Sequence, residues 1–257
     1  MKADYGVYGS WSYYISLAIL SAIFLLLAIF IEFFRLLFAT AFGITTAVLV
    51  LFVLVPQILY ARKRGWITRR VVEAGRISEG DSVLDIGTGR GFLAIEIAKA
   101  VKGSRAVGVD IWEIPAEGEM HQGFILGNTR ENAERNAQLE GVYDRVEFKR
   151  ADAREMPFES ESFDVVVSSI AMHQIVYSKE GLRVLDETHR VLKPNGRLVI
   201  VDVLIGKIIT DKLKELRFRD LKVQNIRNLG SFSFLLKILS AVKNPSELAI
   251  RNRGEGR

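Results

Sequence analysis

The sequence predicts an α/β protein, a doubly wound and mostly parallel sheet preceded by a transmembrane helical hairpin. Three observations carry that reading. From residue 82 onward, short apolar runs alternate with helical patterns, as crossover units that lay strands parallel require. Three glycines stand between the first such run and the first helix, in "VLDIGTGRGFLAIEIA" at 83–98. The first sixty of the 257 residues are almost free of charge.

Residues 5–31 carry no charge, and after Glu32 and Arg35 the stretch 36–61 is again uncharged. Segments 13–31 and 36–58 each supply the roughly 20 residues that cross about 30 Å of hydrocarbon. Trp11, Tyr13 and Tyr14 stand where an interfacial aromatic belt would lie, and Pro56 and Tyr60 mark the other exit. One straight helix over 13–59 would run about 70 Å, so a hairpin is expected. Its turn, "IEFFR", has no glycine or proline. A break near Gly43 would instead leave one span and one interfacial helix. A cleaved signal peptide ending at Ala39-Thr40-Ala41 fits poorly, because the apolar run continues past it. Arg62, Lys63, Arg64, Arg69 and Arg70 follow directly, a cluster that suits lipid headgroups better than nucleic acid. By the positive-inside rule it stays cytoplasmic. The expectation is an anchor at 1–61 and a domain at 62–257, in a multi-pass membrane protein whose domain faces the cytoplasm.

Strands are expected at 82–86, 105–110, 145–149, 163–168 and 197–203, with helices at 91–102, 129–140 and 179–192. "KPNG" at 193–196 reads as a turn. A helix near 210–217 precedes "LKVQNI" and "FSFLLKILSAV", a hairpin added to the sheet edge. The absence of cysteine rules out disulfides and thiolate metal sites, and no metal site is expected; net charge is +5.

In an open parallel sheet, ligands bind beyond the carboxyl ends of the strands where the order reverses. The loop after the first strand sits there, with Gly87, Gly89 and Gly91. The dinucleotide fingerprint needs glycine at 92, where Phe92 stands, and no Gly-Lys-Ser/Thr follows for a P-loop. Asp85 would repel a pyrophosphate but attract an ammonium or sulfonium. The helix starting near Gly91 favours an anion at its N-terminus. A ligand with both signs at one end suits such a site, and S-adenosylmethionine is one. The plainer alternative is that Asp85 only hydrogen-bonds loop amides.

With these residues the sequence resembles the class I S-adenosylmethionine-dependent methyltransferase family, from about Gly65 to the C-terminus. "VLDIGTGRG" is similar to its first motif, "VGVDIW" to its second and "RADAREMPF" to its third. "FDVVVSSIAMHQI" and "HRVLKPNGRLVIVD" are similar to its fourth- and fifth-strand segments. The resemblance implies a Rossmann-like sheet of seven strands, the last antiparallel, with S-adenosyl-L-methionine as cofactor. It implies that Asp110 holds the ribose hydroxyls and that Asp152 and the backbone of Ala153 meet the adenine. Asp85, Gly87, Thr88, Gly89, Gly91, Ile111 and Ser168 complete the implied binding set. Physical chemistry agrees at Asp110, since a carboxylate at a strand end can accept two bonds from a vicinal diol. Ile111 and Trp112 offer an apolar face to a purine. Asp110 as a loop residue and Asp152 as a turn residue are the structural alternatives.

Methyl transfer is an in-line displacement in which alignment does most of the work, and a base is needed only where the nucleophile must lose a proton. His173, after strand four, is the candidate base, with pocket-wall packing as the alternative. His121 lies in a long insertion at 111–127, expected as a lid or acceptor wall, and His189 in a helix is structural. "SSIAMHQ" lacks the Asn/Asp-Pro-Pro-aromatic motif of enzymes that methylate nucleic-acid bases, so nucleic acid is disfavoured. The expected acceptor is a small, membrane-associated molecule: a lipid, a quinone or another apolar metabolite. Three competing classes are a nicotinamide-dependent oxidoreductase, a non-catalytic membrane protein that keeps the binding scaffold, and a methyltransferase acting on protein or nucleic acid at the membrane surface.

Overall fold

The computed structural model describes residues 11–30, 35–51, 64–112, 127–226 and 236–245. It divides into two units, a helical one and an α/β one.

The helical unit contains α1 (Trp11–Phe30) and α2 (Arg35–Leu49), packed as a pair. A hydrogen bond of 2.8 Å joins Ser21 Oγ and Thr45 Oγ1, and Phe24 stacks on Phe38 at 6.3 Å between ring centres. Ser21 is buried in this seam, while Ile15, Ile19, Ile23, Leu26, Leu37 and Ile44 are exposed. Among the described residues, no helix is long and apolar enough to cross a membrane. This overturns the expected two-span hairpin and with it the multi-pass membrane location. The reason lies in lengths. The second helix, with a wider turn at Val50 and Leu51, gives about 25 Å at 1.5 Å per residue against the roughly 30 Å required. The first carries Ser12, Tyr13, Tyr14, Ser16 and Ser21 among its apolar residues. A charge-free run measures hydrophobicity, not the length of one helix. The expected turn at 32–35 and the exit near Pro56 fall largely outside the described residues.

The α/β unit begins with α3 (Arg64–Gly75), followed by β1 (Ser82–Ile86), α4 (Phe92–Ala100), β2 (Arg105–Asp110), α5 (Arg130–Leu139) and β3 (Val146–Arg150). Then come β4 (Phe163–Ser169), a short α6 (Met172–Val176), α7 (Arg183–Val191), β5 (Leu192–Asp202), α8 (Lys207–Glu215), β6 (Phe218–Asn225) and β7 (Lys237–Lys243). The seven strands are ordered β3-β2-β1-β4-β5-β7-β6. β1 to β5 run parallel, and β7 is antiparallel to both β5 and β6. This is the Rossmann-like seven-stranded mixed sheet that the resemblance implies.

The strand sequences explain the burial. Val83, Leu84 and Ile86 of β1 are all fully buried, as are Val165, Val166 and Val167 of β4, so both faces of these strands are covered. Each such side chain contributes about 1.5–3 kcal/mol by leaving water. Leu84 and Ile86 share a core with Met172, Val184, Leu185, Ile209 and Leu213 of the later helices. The apolar helix α4 buries Phe92, Leu93, Ala94, Ile95, Ile97 and Ala98. α5 starts where it does because Thr129 caps it, accepting from Asn132 N at 3.2 Å.

One detail departs from expectation, and one adds to it. "KPNG" does not separate α7 from β5; β5 already pairs at Leu192, and residues 193–196 loop out of register before Arg197 meets Val165. β7 slots between β5 and β6, so the later strand of the hairpin lies inside and the earlier one at the edge.

Candidate active site

The order reverses between β1 and β4, and the carboxyl ends of β1, β2, β4 and β5 lie around that point. Asp85 is 1% exposed. Its Oδ2 accepts from Thr88 Oγ1 at 2.7 Å and from Ala94 N at 3.2 Å. Its Oδ1 is buried and, among the described residues, has no hydrogen-bond partner. Desolvation pushes the Asp85 pKa up to about 7, against the opposing pull of Thr88 and Ala94. The plainer alternative thus describes one oxygen and leaves the other without a role in the fold.

The glycine loop is tied to β2. Gly87 N and Thr88 N both donate to Val109 O, at 2.9 and 3.0 Å. Gly87 has φ +70, and a side chain there would meet Ala171 Cβ at 2.2 Å, so only glycine fits. Gly89 has φ +58, yet among the described residues a side chain there would meet only Asn128 Oδ1, at 3.4 Å. Gly91, φ +81, precedes the first residue of α4.

Asp110 ends β2. Its Oδ2 accepts from Gly89 N at 2.9 Å and its Oδ1 from Trp112 N at 3.3 Å. Burial raises its pKa, opposed by these backbone donors and by that of Ile111. Trp112 Nε1 donates to Gly89 O at 2.9 Å, and its ring meets Phe148 edge-on. Asp85, Thr88, Gly89, Asp110, Ile111 and Trp112 therefore form one constellation.

Other expected residues are held differently. Ala151 N donates to Asp110 O at 3.1 Å, which brings the end of β3 beside β2. The Asp152 carboxylate is gripped by Arg154 through Nε and Nη2, at 2.7 to 3.0 Å, and that bond lowers its pKa. The Ala153 side chain lies in the core. Ser168 is fully buried and its hydroxyl donates to Ile86 O at 2.8 Å, which locks β4 to β1.

After β4 the chain passes through Ile170 at φ +55, a left-handed conformation that costs a branched residue about 1–2 kcal/mol. Ile170 N donates to Val201 O at 2.8 Å. This bend delivers His173 beside Asp202, at the end of β5, with Nδ1 2.8 Å from Asp202 Oδ1. His189 packs edge-on against Phe218, and burial lowers its pKa. His121 and most of the 111–127 insertion lie outside the described residues. Among the described residues, no group of acidic and histidine side chains could hold a metal ion.

Asn128 and Asp202 escaped the sequence reading, and Trp112 has a second role it did not give. Asn128 has a buried Oδ1 with no partner, and it faces Gly89. Trp112 clamps the loop as well as offering a face. Asp202 is the third aspartate to end a parallel strand at this edge, after Asp85 near the end of β1 and Asp110. That repetition in "VLDI", "VGVD" and "VIVD" is the signal that could have found it.

The residues fit the expected donor. The oxygen of Asp85 that has no partner among the described residues calls for a cation or hydrogen-bond donor, and Asp110 is fixed for a polar ligand.

Comparison with known proteins follows this geometry. Residues 84–200 match the "Methyltransferase domain" family. A demethylmenaquinone methyltransferase of Clavibacter sepedonicus is 36% identical over 123 residues, 48% of this chain and 41% of that protein. A ubiquinone/menaquinone biosynthesis C-methyltransferase of Geotalea daltonii is 32% identical over 149 residues, 58% of this chain and 56% of that protein. The chain spans about half the length of the curated relatives it matches. A geranyl diphosphate C-methyltransferase from Streptomyces coelicolor, solved with S-adenosyl-L-homocysteine, shares the fold. Its TM-score is 0.53 at 13% identity, covering 71% of this chain and 80% of that one. The likeness is to methyltransferases, and the family match lies within residues 84–200.

Proposed function

We propose, from the premise that residues 84–200 are a methyltransferase domain, that this protein transfers a methyl group from S-adenosyl-L-methionine to a small apolar acceptor. One observation carries the reading: among the described residues, Asp85 keeps a buried carboxylate oxygen without a partner at the start of the glycine loop. A protein gains nothing in stability from such an atom. A ligand with a cationic end gains a desolvated partner, and its charge favours the ionised form of Asp85.

The remaining residues divide the work. Asp85 takes the donor's ammonium through Oδ1 while Thr88 and Ala94 hold Oδ2. The N-terminus of α4 faces the donor's carboxylate. Asp110, steadied by Gly89 and Trp112, accepts the ribose hydroxyls, and Trp112 with Ile111 walls the purine. Asp152 and the Ala153 backbone border the adenine, with the Asp152 side chain anchored on Arg154. Gly87 and Gly91 shape the loop, and Ser168 keeps β4 seated on β1. Once bound, the donor supplies a methyl group on a sulfonium, open to in-line attack. His173 stands at the end of β4 as the group to take a proton from the acceptor.

The acceptor reading rests on likeness. Relatives named for quinone substrates share the domain. A lipid-like or quinone acceptor is the proposal. The test is incubation of the protein with isotope-labelled donor and a lipid extract, with identification of the labelled product. A labelled apolar small molecule supports the reading. Label found only in protein or nucleic acid contradicts the acceptor class, and no labelled product at all contradicts the activity.

A further inference from the structure

Among the described residues of the α/β unit, the exposed large apolar and aromatic side chains are Leu139, Tyr143, Tyr177, Leu204, Ile208 and Val223. Scattered singly, such residues are ordinary on a protein surface. Three of them are not scattered. A side chain built on Gly206 would meet Tyr177 Oη at 2.8 Å, so the end of the tyrosine ring rests on that glycine. Leu204 and Ile208 stand two residues to either side of it, within about 8 Å along the chain. Tyr177 and Leu204 are each 54% exposed and Ile208 is 43% exposed, which leaves close to half of every side chain in water.

The surrounding packing holds the three in place. Ile205 and Ile209 enter the core, which turns their neighbours Leu204 and Ile208 outward. Leu204 N donates to Asp202 Oδ1 at 3.3 Å. Gly206 has φ −89, a backbone that any residue adopts, so what its missing side chain provides is room under the tyrosine ring.

Helix α6 connects this patch to the donor loop. At its start, a side chain on Gly87 would collide with Ala171, so Ala171 abuts the glycine loop. At its other end stands Tyr177. The rise from Ala171 to Tyr177 is about 9 Å at 1.5 Å per residue. A molecule whose reacting atom sits by the donor therefore reaches the patch with a body of one or two rings.

Size and charge decide what fits. A stable protein interface takes about 20–30 residues a side, far more than three half-exposed side chains. An anionic lipid surface recruits clusters of basic residues, and between Leu204 and Ile208 the only charge in the sequence is Lys207. Its stem can lie along an apolar ligand while its head stays in water.

We infer that Tyr177, Leu204 and Ile208 form the subsite for the apolar body of the methyl acceptor, an uncharged ring or short hydrocarbon extending about 9 Å from the reacting atom. The inference rests on the methyltransferase reading and adds where the acceptor lies. Water leaves the three side chains as the acceptor docks, and this burial supplies affinity whatever the accepting atom is.

The test is carbon-13 NMR of the full chain labelled at its leucine and isoleucine methyl groups, titrated with 2-naphthol as an uncharged two-ring probe. The signals to follow are those lost in Leu204→Ser and in Ile208→Ser. In the wild type both should shift along one shared saturation curve while the signal of Leu139 stays still. Tyr177→Ala should weaken that curve about tenfold, and Tyr177→Phe, which keeps the ring, should match wild type. Signals of Leu204 and Ile208 that do not move, or that drift without saturation together with Leu139, overturn the inference. So does a shift of the same signals with protein concentration alone, the mark of a second copy, or with phosphatidylglycerol vesicles but not the probe, the mark of a lipid surface. Calorimetry with S-adenosylmethionine separates the two readings. Donor binding beside an indifferent patch sinks only the subsite, and absent donor binding sinks the methyltransferase reading.

Discussion

The two halves of the sheet's carboxyl edge treat their aspartates in opposite ways. On the β1–β2 side, Asp85 keeps one oxygen without a partner and Asp110 is desolvated with its pKa raised. On the β4–β5 side, Asp202 is as deeply buried yet accepts four hydrogen bonds from its own chain. A satisfied carboxylate stabilises the fold and positions its neighbours. An unsatisfied one destabilises the fold and is kept for what it binds. The contrast separates a ligand-binding half from a positioning half, and each half can be tested alone.

The largest expected effect lies on the satisfied side. Asp202→Ala strands four donors and should cost about 3 kcal/mol of stability, read by urea denaturation. Asp110→Ala should weaken donor binding about 100-fold by calorimetry, since charge-assisted bonds are worth roughly 1.5–3 kcal/mol. Asp85→Asn should weaken donor binding about tenfold or more, the worth of one such bond. Its stability should equal or exceed wild type, the opposite of Asp202→Ala. Should both aspartates prove equally costly to remove, the division fails.

Protons sharpen the same comparison. Asp85 has a folded pKa raised to about 7 from 3.8. Between those values the folded state holds a proton that the unfolded state has lost. Asp85 therefore lowers the stability of the free protein as pH rises from about 4 through 7. In Asp85→Asn the melting temperature should fall less, or not at all, across that window. The smallest effect belongs to Ile170→Gly, which relieves left-handed strain at the price of chain entropy. It should change stability by no more than about 1 kcal/mol and leave donor affinity unchanged.

The binding half was legible in the sequence because its residues are neighbours in the chain or end strands. Asp85 precedes Gly87 by two positions, and Asp110 closes a run of strand-forming residues. The positioning half was only half legible. His173 stood out as a rare titratable residue after β4, but its partner lies 29 residues away, and nothing local in "VIVDVL" announces the pairing. The fate of Ser168 and Asp152 was equally hidden, since Ile86 O and Arg154 take up their polar atoms through contacts made by folding. The order of the last two strands is a choice of packing, which periodicity does not encode. The helical pair shows the opposite failure. Composition there was plain, but the helix lengths that decide a membrane crossing were not.

The central claim is that the unpartnered oxygen of Asp85 receives the cationic end of a methyl donor. Titration calorimetry with S-adenosylmethionine at pH 6 and pH 8 tests it directly. Binding should be tighter at pH 8, with proton release at pH 6 read from buffers of different ionisation heat, and Asp85→Asn should abolish both. Heat that is absent at either pH, or affinity and proton release that survive unchanged in Asp85→Asn, would contradict it.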